Sequence, residues 1–413
     1  MTTPSPKLWV ISELYYPEET STGYILTRIA EGLAERFKVE VLCGQPSYSA
    51  RGQHAPVKEN RNGVMIRRCP ATTLNKDILF FRLINLVTIT LSMFFNALWR
   101  LRRDDLILVV TNPPSLPFLV ALAGWLRGAR SVLLVHDVYP DILIAAGMLK
   151  RGSPGNQIGN WLNRWLYRSA ARVVVLGRDM QVKVAAHLKP EQRQRVIVIT
   201  NWADLDSIQP GLRDHNCLLK KTGLIGKFVV EYAGNIGYPN DIEGLLACAR
   251  LLSRRDNIHF LLLGGGAKRA WVEQTIFKED LRNVTLMSGR PRREQQNFLN
   301  ACDVNVVSLV RGMVGVSVPS RIYNIMGAGK PIIAVAEERS ELAIVVREER
   351  IGWVVPPHDP FRLASTIEEA RADPEELIAM GRRARAAAEI KYRKEFVLEA
   401  YCRLFFNLFK NIV

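Results

Sequence analysis

Two titratable side chains, His136 and Asp137, stand at the end of the apolar run in LLVHDVYPD. Such groups are costly at the end of a buried strand unless they face a cleft. The pair is therefore a candidate for contact with a reacting hydroxyl, because imidazole and carboxylate groups donate and accept protons. The alternatives are a structural role for the histidine and, for Asp141 four residues further on, a helix cap.

Two glycine-rich loops follow apolar runs in the second half of the chain. FVVEYAGNIGYPNDIEGLL contains Asn235 and Gly237, and FLLLGGGAKRAW contains Gly264, Gly265 and then Lys268. Backbone amides in such loops hold phosphate oxygens, since glycine lets the main chain approach a ligand closely. Because both loops occupy similar places in the same half, together they favour a nucleotide site.

The stretch SVPSRIYNIMGAGKPIIAVA, residues 317–336, predicts a short helix that follows a strand. Ser320 is the expected N-cap, Arg321 the first helical residue and Gly329 the left-handed stop. Arg321 and Asn324 are three residues apart and so share one face of the helix, next to the apolar one. The helix N-terminus and Arg321 together would stabilise a negative charge, such as a diphosphate leaving group.

A further loop, SELYYPEETSTGY, carries Gly23 between the first apolar run and a helical stretch. A glycine at such a turn favours contact between backbone amides and an anion or a polar oxygen. An ordinary turn explains it equally well. The loop lacks G-x-G-x-x-G, which disfavours a dinucleotide site.

Short β-rich runs alternate with stretches that are mostly long enough for a helix. The first half contains KLWVIS, KVEVLCG, GVMIRRC, LILVVT, SVLLVHD, RVVVLG and VIVIT, and the second contains KFVVEYAG, IHFLLLGGG, NVTLMSG, DVNVVSLV, KPIIAVA and GWVVPP. This alternation predicts two doubly wound α/β domains with parallel sheets, a linker near 202–225, and one or two further helices from about 374 to 413. Ligands bind beyond the carboxyl ends of such strands, so we expect a cleft there.

Length and composition agree with two globular domains. The chain has 413 residues, 48% of them hydrophobic and 23% charged, too many for one ordinary core. Six scattered cysteines form no CxxC motif, which argues against a disulfide framework or a zinc site and favours a cytosolic location. We expect no signal peptide, because the first apolar run is only as long as a strand.

The net charge of +16 is concentrated in the first half, where residues 1–200 hold 26 Lys/Arg and 14 Asp/Glu. This excess indicates an anionic partner. Nucleic acid is disfavoured because no recognition signature is present. A bilayer surface is favoured by the uncharged stretch 83–99 and by 160–172, where Trp161, Trp165, Arg164, Arg168 and Arg172 have helical spacing. The alternative for both stretches is a helix packed on a sheet, which explains 83–99 as well as membrane contact does, and a true span over 83–99 stays open.

Eight motifs in order give the chain a resemblance to a known family. They are YYPEETSTG, TNPPSLP, VHDVYPD, ITNWADLD, YAGNIGYPNDIEGLL, LLGGGAKR, SGRPRREQQNFLNACDV and VPSRIYNIMGAGKPIIA. The sequence resembles the GT-B glycosyltransferases of family 4, in particular the colanic-acid and O-antigen branch (fucosamine transferase-like) that extends lipid-linked repeat units.

The resemblance implies two Rossmann-like domains that face a cleft. Residues 1–205 would bind the acceptor and face the membrane, 206–390 would bind the nucleotide sugar, and the helix 391–413 would pack back on the first domain. Transfer would be retaining, with no bound metal or cofactor, and a UDP-sugar would be the donor rather than a GDP-sugar.

Several roles follow from the resemblance by position. Two family glutamates are replaced: Asn324 falls where the second usually contacts the ribose, and Val316 falls where the first would lie near the sugar. The backbone of Arg290 would contact the nucleobase. Asn235 and Asn240 replace the basic pair that commonly grips the diphosphate. We therefore expect Arg321 to supply the cation.

The predicted function is transfer of a sugar from a nucleoside-diphosphate donor to a polyprenyl-diphosphate-linked saccharide. The enzyme would lie on the cytoplasmic face of the inner membrane, attached peripherally, and would bind no nucleic acid. Two alternatives stay open, a non-catalytic degenerate transferase that scaffolds an assembly complex and a GT-B nucleotide-sugar epimerase. The candidate catalytic residues are His136, Asp137 and Arg321, and the candidate donor-binding residues are Gly23, Asn235, Gly237, Gly264, Gly265, Lys268, Arg290, Ser317, Pro319, Ser320 and Asn324, with no metal ligands.

Overall fold

The computed structural model of the protein describes residues 6–47, 52–74 and 78–410. The chain divides into two compact units, the first composed of Met1–Tyr139, Pro154–Thr200 and Glu395–Val413, the second of Pro140–Ser153 and Asn201–Lys394. Residues 1–5, at the start of the segment tested for a signal peptide, and 411–413, at the end of the predicted last helix, lie outside the described residues.

Each unit contains one sheet. The strands are β1 (Leu8–Ile11), β2 (Val39–Cys43), β3 (Lys58–Arg61), β4 (Val64–Arg68), β5 (Leu106–Val110), β6 (Arg130–Val135), β7 (Arg172–Val175), β8 (Val196–Val198), β9 (Phe228–Ala233), β10 (Ile258–Leu263), β11 (Val284–Met287), β12 (Val304–Ser308), β13 (Ile332–Val335) and β14 (Gly352–Val355). The first sheet has the order β3-β4-β2-β1-β5-β6-β7-β8 and the second β11-β10-β9-β12-β13-β14.

Helices connect most of the strands. They are α1 (Ser21–Ala34), α2 (Leu79–Arg100), α3 (Leu116–Arg127), α4 (Asp141–Ala145), α5 (Pro154–Ser169), α6 (Arg178–Ala185), α7 (Cys217–Thr222), α8 (Ile242–Leu251), α9 (Arg269–Lys278), α10 (Gln295–Leu299), α11 (Arg321–Gly327), α12 (Glu341–Glu348), α13 (Pro360–Ala372), α14 (Pro374–Lys391) and α15 (Lys394–Lys410). Side-chain caps fix several of these starts, as where Asp241 accepts from the Gly244 amide at the start of α8.

The prediction of two doubly wound parallel sheets is confirmed, and every predicted run contains a strand. The sequence missed β3, which pairs antiparallel with β4 at the sheet edge. Its sequence is KENR, and an edge strand of polar residues lacks the apolar run on which the prediction depended. Apolar layers of the second unit cover its sheet and bury strand side chains such as Phe260 and Val307.

Segment 140–153 belongs to the second unit, although the sequence placed it within the first domain. Its helix α4 brings Ile142 and Ala145 against the buried core of the second unit. Burial of these two apolar side chains explains the assignment. The sequence predicted that Arg172 continues the helical spacing of 160–172. This prediction is wrong, because α5 ends at Ser169 and Arg172 begins β7.

Helix α2 has 22 residues and is longer than the predicted stretch 83–99. In the described part of the chain, it is the one helix whose length and apolar composition would allow it to cross a membrane. One face of α2 forms hydrogen bonds with other parts of the first unit. Asn85 exchanges hydrogen bonds with the Leu74 backbone, and the Thr90 hydroxyl lies 3.0 Å from that of Ser115. The opposite face leaves a stripe of apolar side chains exposed, at Leu83, Val87, Leu91, Phe95 and Trp99.

The C-terminal segment forms two helices, α14 and α15. Helix α15 contacts other residues of the first unit, where Glu399 pairs with Arg36 at 2.9 Å and Phe409 stacks on Phe37. It therefore belongs with the first sheet, whereas α14 packs in the second unit.

Candidate functional site

The loops that carry most candidate residues meet at one edge of the second sheet. All strand pairs in that sheet are parallel, so the loops that follow β9, β10, β11 and β12 lie at the same edge. Strand β9 lies between β10 and β12, and the connections from β9 and β12 leave in opposite directions. This is the topological switch point, where open α/β sheets bind ligands.

Arg321 bridges this switch point. It begins α11, after β12, and its guanidinium donates to groups at the end of β9 and in the loop that follows: Nη1 to the Ala233 carbonyl at 3.1 Å and Nη2 to Asn240 Oδ1 at 2.9 Å. The guanidinium also lies over the ring of Tyr232, 4.5 Å from its centroid, and Nη2 is 3.3 Å from the phenol oxygen. Each of these acceptors is neutral. Within the described residues, Arg321 has no carboxylate partner, so its positive charge is uncompensated.

Glycines allow the loops to approach the arginine and each other. A Cβ at Gly234 would lie 2.3 Å from Arg321 Nη1, and Gly234 has a φ of +157°. A Cβ at Gly264 would lie 1.9 Å from the Gly234 carbonyl oxygen, and one at Gly266 would lie 2.5 Å from that of Ile236. The two predicted glycine loops are thus in contact. Backbone atoms exclude a side chain at Gly264 and Gly266, whereas Gly234 leaves the space that the Arg321 guanidinium occupies.

Several loop amides already donate within the protein. The Gly234 amide donates to Leu263, that of Ile236 to Gly265, and that of Gly264 to Met287, all to backbone carbonyls at 2.8–3.1 Å. The predicted Gly264 amide is therefore engaged, and this glycine serves close packing. For Gly237 and Gly265 the described residues offer the amides no acceptor, so these two remain candidates for a phosphate oxygen.

Of three other cations near the loops, two are paired with carboxylates, and the third, Arg269, has only backbone carbonyls as partners among the described residues. Lys268 Nζ forms an ion pair with Glu243 at 2.8 Å, and Arg290 Nη1 lies 3.4 Å from Glu294. Arg269 donates to two backbone carbonyls at the ends of neighbouring strands. Of the three cations among the predicted site residues, Lys268, Arg290 and Arg321, only Arg321 has no carboxylate partner among the described residues, and it lies at the switch point between β9 and β12.

Helix α11 differs in detail from its prediction. It begins at Arg321 as expected, and Gly329 has the left-handed φ of +65°, but the helix ends at Gly327 and Ser320 makes no side-chain cap bond. Seven residues give only a short dipole. We therefore expect the Arg321 guanidinium, rather than the helix dipole, to contribute most of the positive potential at this site.

Asn324, predicted to contact a ribose, is 7% exposed and uses its carboxamide inside the protein. Its Oδ1 accepts from the Asp204 amide at 3.0 Å, and its Nδ2 lies 3.3 Å from Gln295 Oε1. In the structure, the Asn324 carboxamide therefore connects α11 to the segment that follows Thr200. Val316 is buried in the core. Ser317 and Pro319 are half-buried in the loop before α11.

His136 and Asp137 follow β6 in the first unit, where both amides donate to the Thr111 hydroxyl. The His136 Nε2 atom is buried and has no hydrogen-bond partner among the described residues. Burial lowers the pKa of His136 to about 4, so the imidazole is neutral at pH 7. A neutral ring with an unpaired nitrogen is suited to a hydrogen bond with a ligand hydroxyl.

Gly23 lies in the first turn of α1, also in the first unit. Its amide donates to the Thr20 hydroxyl at 3.3 Å, and a Cβ there would lie 2.8 Å from the Glu18 carbonyl oxygen. The amide predicted to hold a ligand is therefore part of the helix cap, and the glycine is required by close packing.

Sequence reasoning missed Tyr232 and His358. Tyr232 was hidden in an apolar strand, although its phenol at the end of that run was a signal. His358 has a left-handed φ of +61°, and its amide and Nδ1 both contact the buried Asp241 carboxylate, at 2.6 and 3.0 Å. Among the described residues, no three His, Cys, Asp or Glu side chains lie within reach of one metal ion.

Comparisons with known proteins agree on one family. The profile "Glycosyl transferase 4-like domain" matches residues 22–202, and "Glycosyl transferases group 1" matches 219–387. The probable glycosyltransferase WbjE of Pseudomonas aeruginosa is 32% identical to this chain. The match covers 88% of this chain and 89% of the WbjE sequence. The putative colanic acid biosynthesis glycosyl transferase WcaI of Escherichia coli K12 is 26% identical over 96% and 98%. The crystal structure of Anabaena HepE with UDP and glucose shares the fold, with a TM-score of 0.73 at 16% identity over 98% of this chain and all of that one.

Proposed function

The chain belongs to the family 4 glycosyltransferases of the GT-B fold, and from that premise we propose that it transfers a sugar from a nucleoside-diphosphate donor to a saccharide on a polyprenyl diphosphate. The pathway would be exopolysaccharide or O-antigen biosynthesis. The name of WcaI supports this choice of pathway, and UDP in the HepE structure supports a UDP-sugar donor.

The observation that carries the proposal is the uncompensated guanidinium at the switch point of the second sheet. When the bond between the anomeric carbon and the diphosphate oxygen breaks, negative charge develops on the leaving group. Arg321, fixed in place before the reaction, would stabilise that charge without reorganisation. The amides of Gly237 and Gly265 would add hydrogen bonds to phosphate oxygens.

On the acceptor side, we propose that His136 and Asp137 contact the hydroxyl that attacks the sugar. The hydroxyl has one proton, which it donates in a hydrogen bond to the carboxylate of Asp137, while the neutral imidazole of His136 donates a hydrogen bond to the hydroxyl oxygen. The new bond joins the hydroxyl oxygen to the anomeric carbon as the bond from that carbon to the diphosphate oxygen breaks, the hydroxyl proton passes to Asp137, and the configuration is retained. Retention is part of the proposal because the family resemblance implies it, as is transfer without a metal or cofactor.

Peripheral attachment to the inner membrane is also proposed. It is supported by the exposed apolar stripe of α2, with Arg82 at one end and Arg102 and Arg103 beyond the other, and by the exposed Trp161 on α5. Apolar side chains flanked by arginines suit the interface of an anionic bilayer. Surface attachment is favoured over a span because the other face of α2 makes the bonds of Asn85 and Thr90 described above.

A thermal-shift screen of nucleotide sugars tests the donor site. A ligand that binds only the folded state raises the melting temperature, and we expect a UDP-sugar to do so. Arg321→Ala should weaken that ligand by roughly 10- to 100-fold, since a charge-assisted bond to phosphate is lost. The matched control is Arg255→Ala, because Arg255 is exposed and pairs with Glu368. Unchanged affinity in the Arg321 variant would remove the central argument.

Turnover of a radiolabelled UDP-sugar with membrane extract tests the reaction itself. Incorporation into a lipid-linked saccharide, with the anomeric configuration assigned by NMR, is the expected result. Donor binding without incorporation would favour the non-catalytic scaffold, and epimerisation of the donor without an acceptor would favour the epimerase.

A further inference from the structure

The guanidinium of Arg321, which is half-buried, is held by neutral partners alone among the described residues. It contacts a carbonyl, a carboxamide and a phenol, all uncharged. Arginines that are held in place elsewhere in the second unit often use a carboxylate, as Arg213 does with Asp303 at 2.5 Å. A carboxylate would orient Arg321 equally well, but it would also neutralise the charge.

Asn240 is the partner whose orientation the structure fixes. Its Nδ2 donates to the Asn235 carbonyl at 3.0 Å while its Oδ1 accepts from Arg321 Nη2 at 2.9 Å. These two contacts require opposite polarities, so only one orientation of the carboxamide satisfies both. The phenol of Tyr232 donates to the same Asn235 carbonyl at 2.7 Å. Asn240 and Tyr232 are thereby linked on one side and hold the guanidinium on the other.

Residues adjacent to Asn240 limit its movement. Asn240 is 6% exposed. The next residue, Asp241, exchanges two hydrogen bonds with the Ser308 hydroxyl, and its carboxylate holds the Gly244 and His358 amides. The loop after β9 is thus attached to the ends of β12 and β14. A side chain on so rigid a support is suited to orient its neighbour.

The chemistry of position 240 excludes the charged alternatives. A lysine would repel the guanidinium, and an aspartate would neutralise it and would place a carboxylate oxygen against the Asn235 carbonyl. A carboxamide provides one acceptor and one donor and leaves the site at its full positive charge.

We propose that Asn240 is a positioning residue, which fixes Arg321 for the donor diphosphate without compensating its charge. The proposal rests on the proposed function, because it assigns to Arg321 a diphosphate ligand. It predicts that Asn240 acts on the ligand through Arg321 alone.

A double-mutant cycle on the full chain tests this. UDP and GDP are both titrated by calorimetry, and the tighter ligand is used for Asn240→Ala, Arg321→Ala and the double variant. We expect Asn240→Ala to weaken binding by about 10-fold in the unaltered protein and by less than about 2-fold in the Arg321→Ala background. The control is Asn283→Ala, a buried asparagine (8% exposed) that also donates to a backbone carbonyl; it should leave the affinity unchanged.

The outcomes separate the two proposals. Equal losses in both backgrounds would mean that Asn240 merely supports the loop, which overturns the positioning role and leaves the proposed function intact. Unchanged binding in Arg321→Ala, or no binding of either nucleotide by the unaltered protein, would overturn both.

Charge provides a second readout. Asn240→Asp retains the size of the side chain and adds a negative charge beside Arg321. We expect it to weaken the diphosphate more than Asn240→Ala does, by at least about 10-fold relative to the unaltered protein. If Asn240→Asp binds the nucleotide as tightly as the unaltered protein, neutrality at position 240 is irrelevant and the proposal fails.

Discussion

At the scale of single residues, the position of Arg321 depends most directly on the absence of a side chain at Gly234. The guanidinium occupies the space that a Cβ at this position would need, as the 2.3 Å separation shows. The left-handed φ of Gly234 adds a second requirement for glycine. A glycine directly after a strand thus provides the space for the guanidinium of an arginine that is far away in the sequence.

Gly234→Ala should therefore displace the guanidinium and weaken UDP binding by about 10-fold or more. Calorimetry of UDP binding measures the effect. Gly327→Ala is the control, because a Cβ in that helical position would meet Leu205 at an ordinary 3.4 Å, and it should bind UDP normally. Equal affinities of the Gly234 variant and the control would show that Arg321 is not fixed at this point.

Glu231 is a second residue whose behaviour follows from its surroundings. It lies in the interior of β9 and is fully buried. Burial raises the pKa of Glu231 well above its ordinary value of 4.5, and the positive charge of Lys330 and the nearby Cys302 thiol oppose this effect only in part. The folded protein therefore holds a proton that the unfolded chain releases.

This proton makes stability dependent on pH. Because the pKa is higher in the folded state, raising the pH above about 4.5 favours the unfolded chain, by about 1.4 kcal/mol per pH unit until the folded-state pKa is reached. Glu231→Gln cannot ionise, so its melting temperature should fall less steeply than that of the unaltered protein between pH 5 and 9. Parallel curves for the two proteins would contradict the raised pKa.

At the scale of elements, α11 links the candidate donor site to the segment that follows Thr200. Arg321 is at its start, Asn324 holds Asp204 from its middle, and the Gly327 carbonyl at its end accepts from Arg385 of α14 at 2.6 Å. Arg385 also donates to the Ile208 carbonyl at 2.9 Å. The arginine therefore stabilises the C-terminal end of α11, where the helix dipole is negative.

Arg385→Ala should lower the free energy of unfolding by about 2–3 kcal/mol, since two backbone carbonyls lose a charged donor. Urea denaturation measures this loss. Arg403→Ala on α15 is the matched control: its ion pair with Glu399 is exposed and lies one helical turn away, and such pairs contribute little. A loss for Arg385→Ala no larger than that for the control would show that α11 does not depend on this contact.

At the scale of the whole molecule, charge and apolar surface are distributed unequally. The net charge of +16 arises mainly from residues 1–200, and the apolar stripe of α2 lies in the same unit. The proposed attachment to membranes therefore combines electrostatic attraction with burial of apolar side chains, two contributions that respond differently to salt.

Binding to phosphatidylglycerol vesicles should fall by at least about 10-fold between low and high salt, because the attraction of basic residues to anionic lipid is screened. Flotation assays measure it. The double variant Leu91→Ser/Phe95→Ser should bind more weakly at every salt concentration. The control Phe277→Ser changes a side chain that is even more exposed but lies in the second unit, and it should bind normally. Complete retention at molar salt would contradict surface attachment and favour a span.

The sequence alone determined the fold class, the glycine loops and the start of α11, because these depend on local patterns: apolar runs, turn residues and a strand-to-helix connection. It also indicated the family. The sequence did not predict the edge strand β3, because its polar residues form a strand only through pairing with β4.

Only the tertiary structure decided which charges are free. Lys268 and Arg321 are equivalent in sequence, each a cation in a loop or helix start, yet one is paired with Glu243 and the other has neutral partners. Those partners of Arg321 lie 81 and 88 residues away. Charge compensation is a property of distance in space, and residues so far apart in the chain become neighbours only when β9 and β12 pair in the sheet.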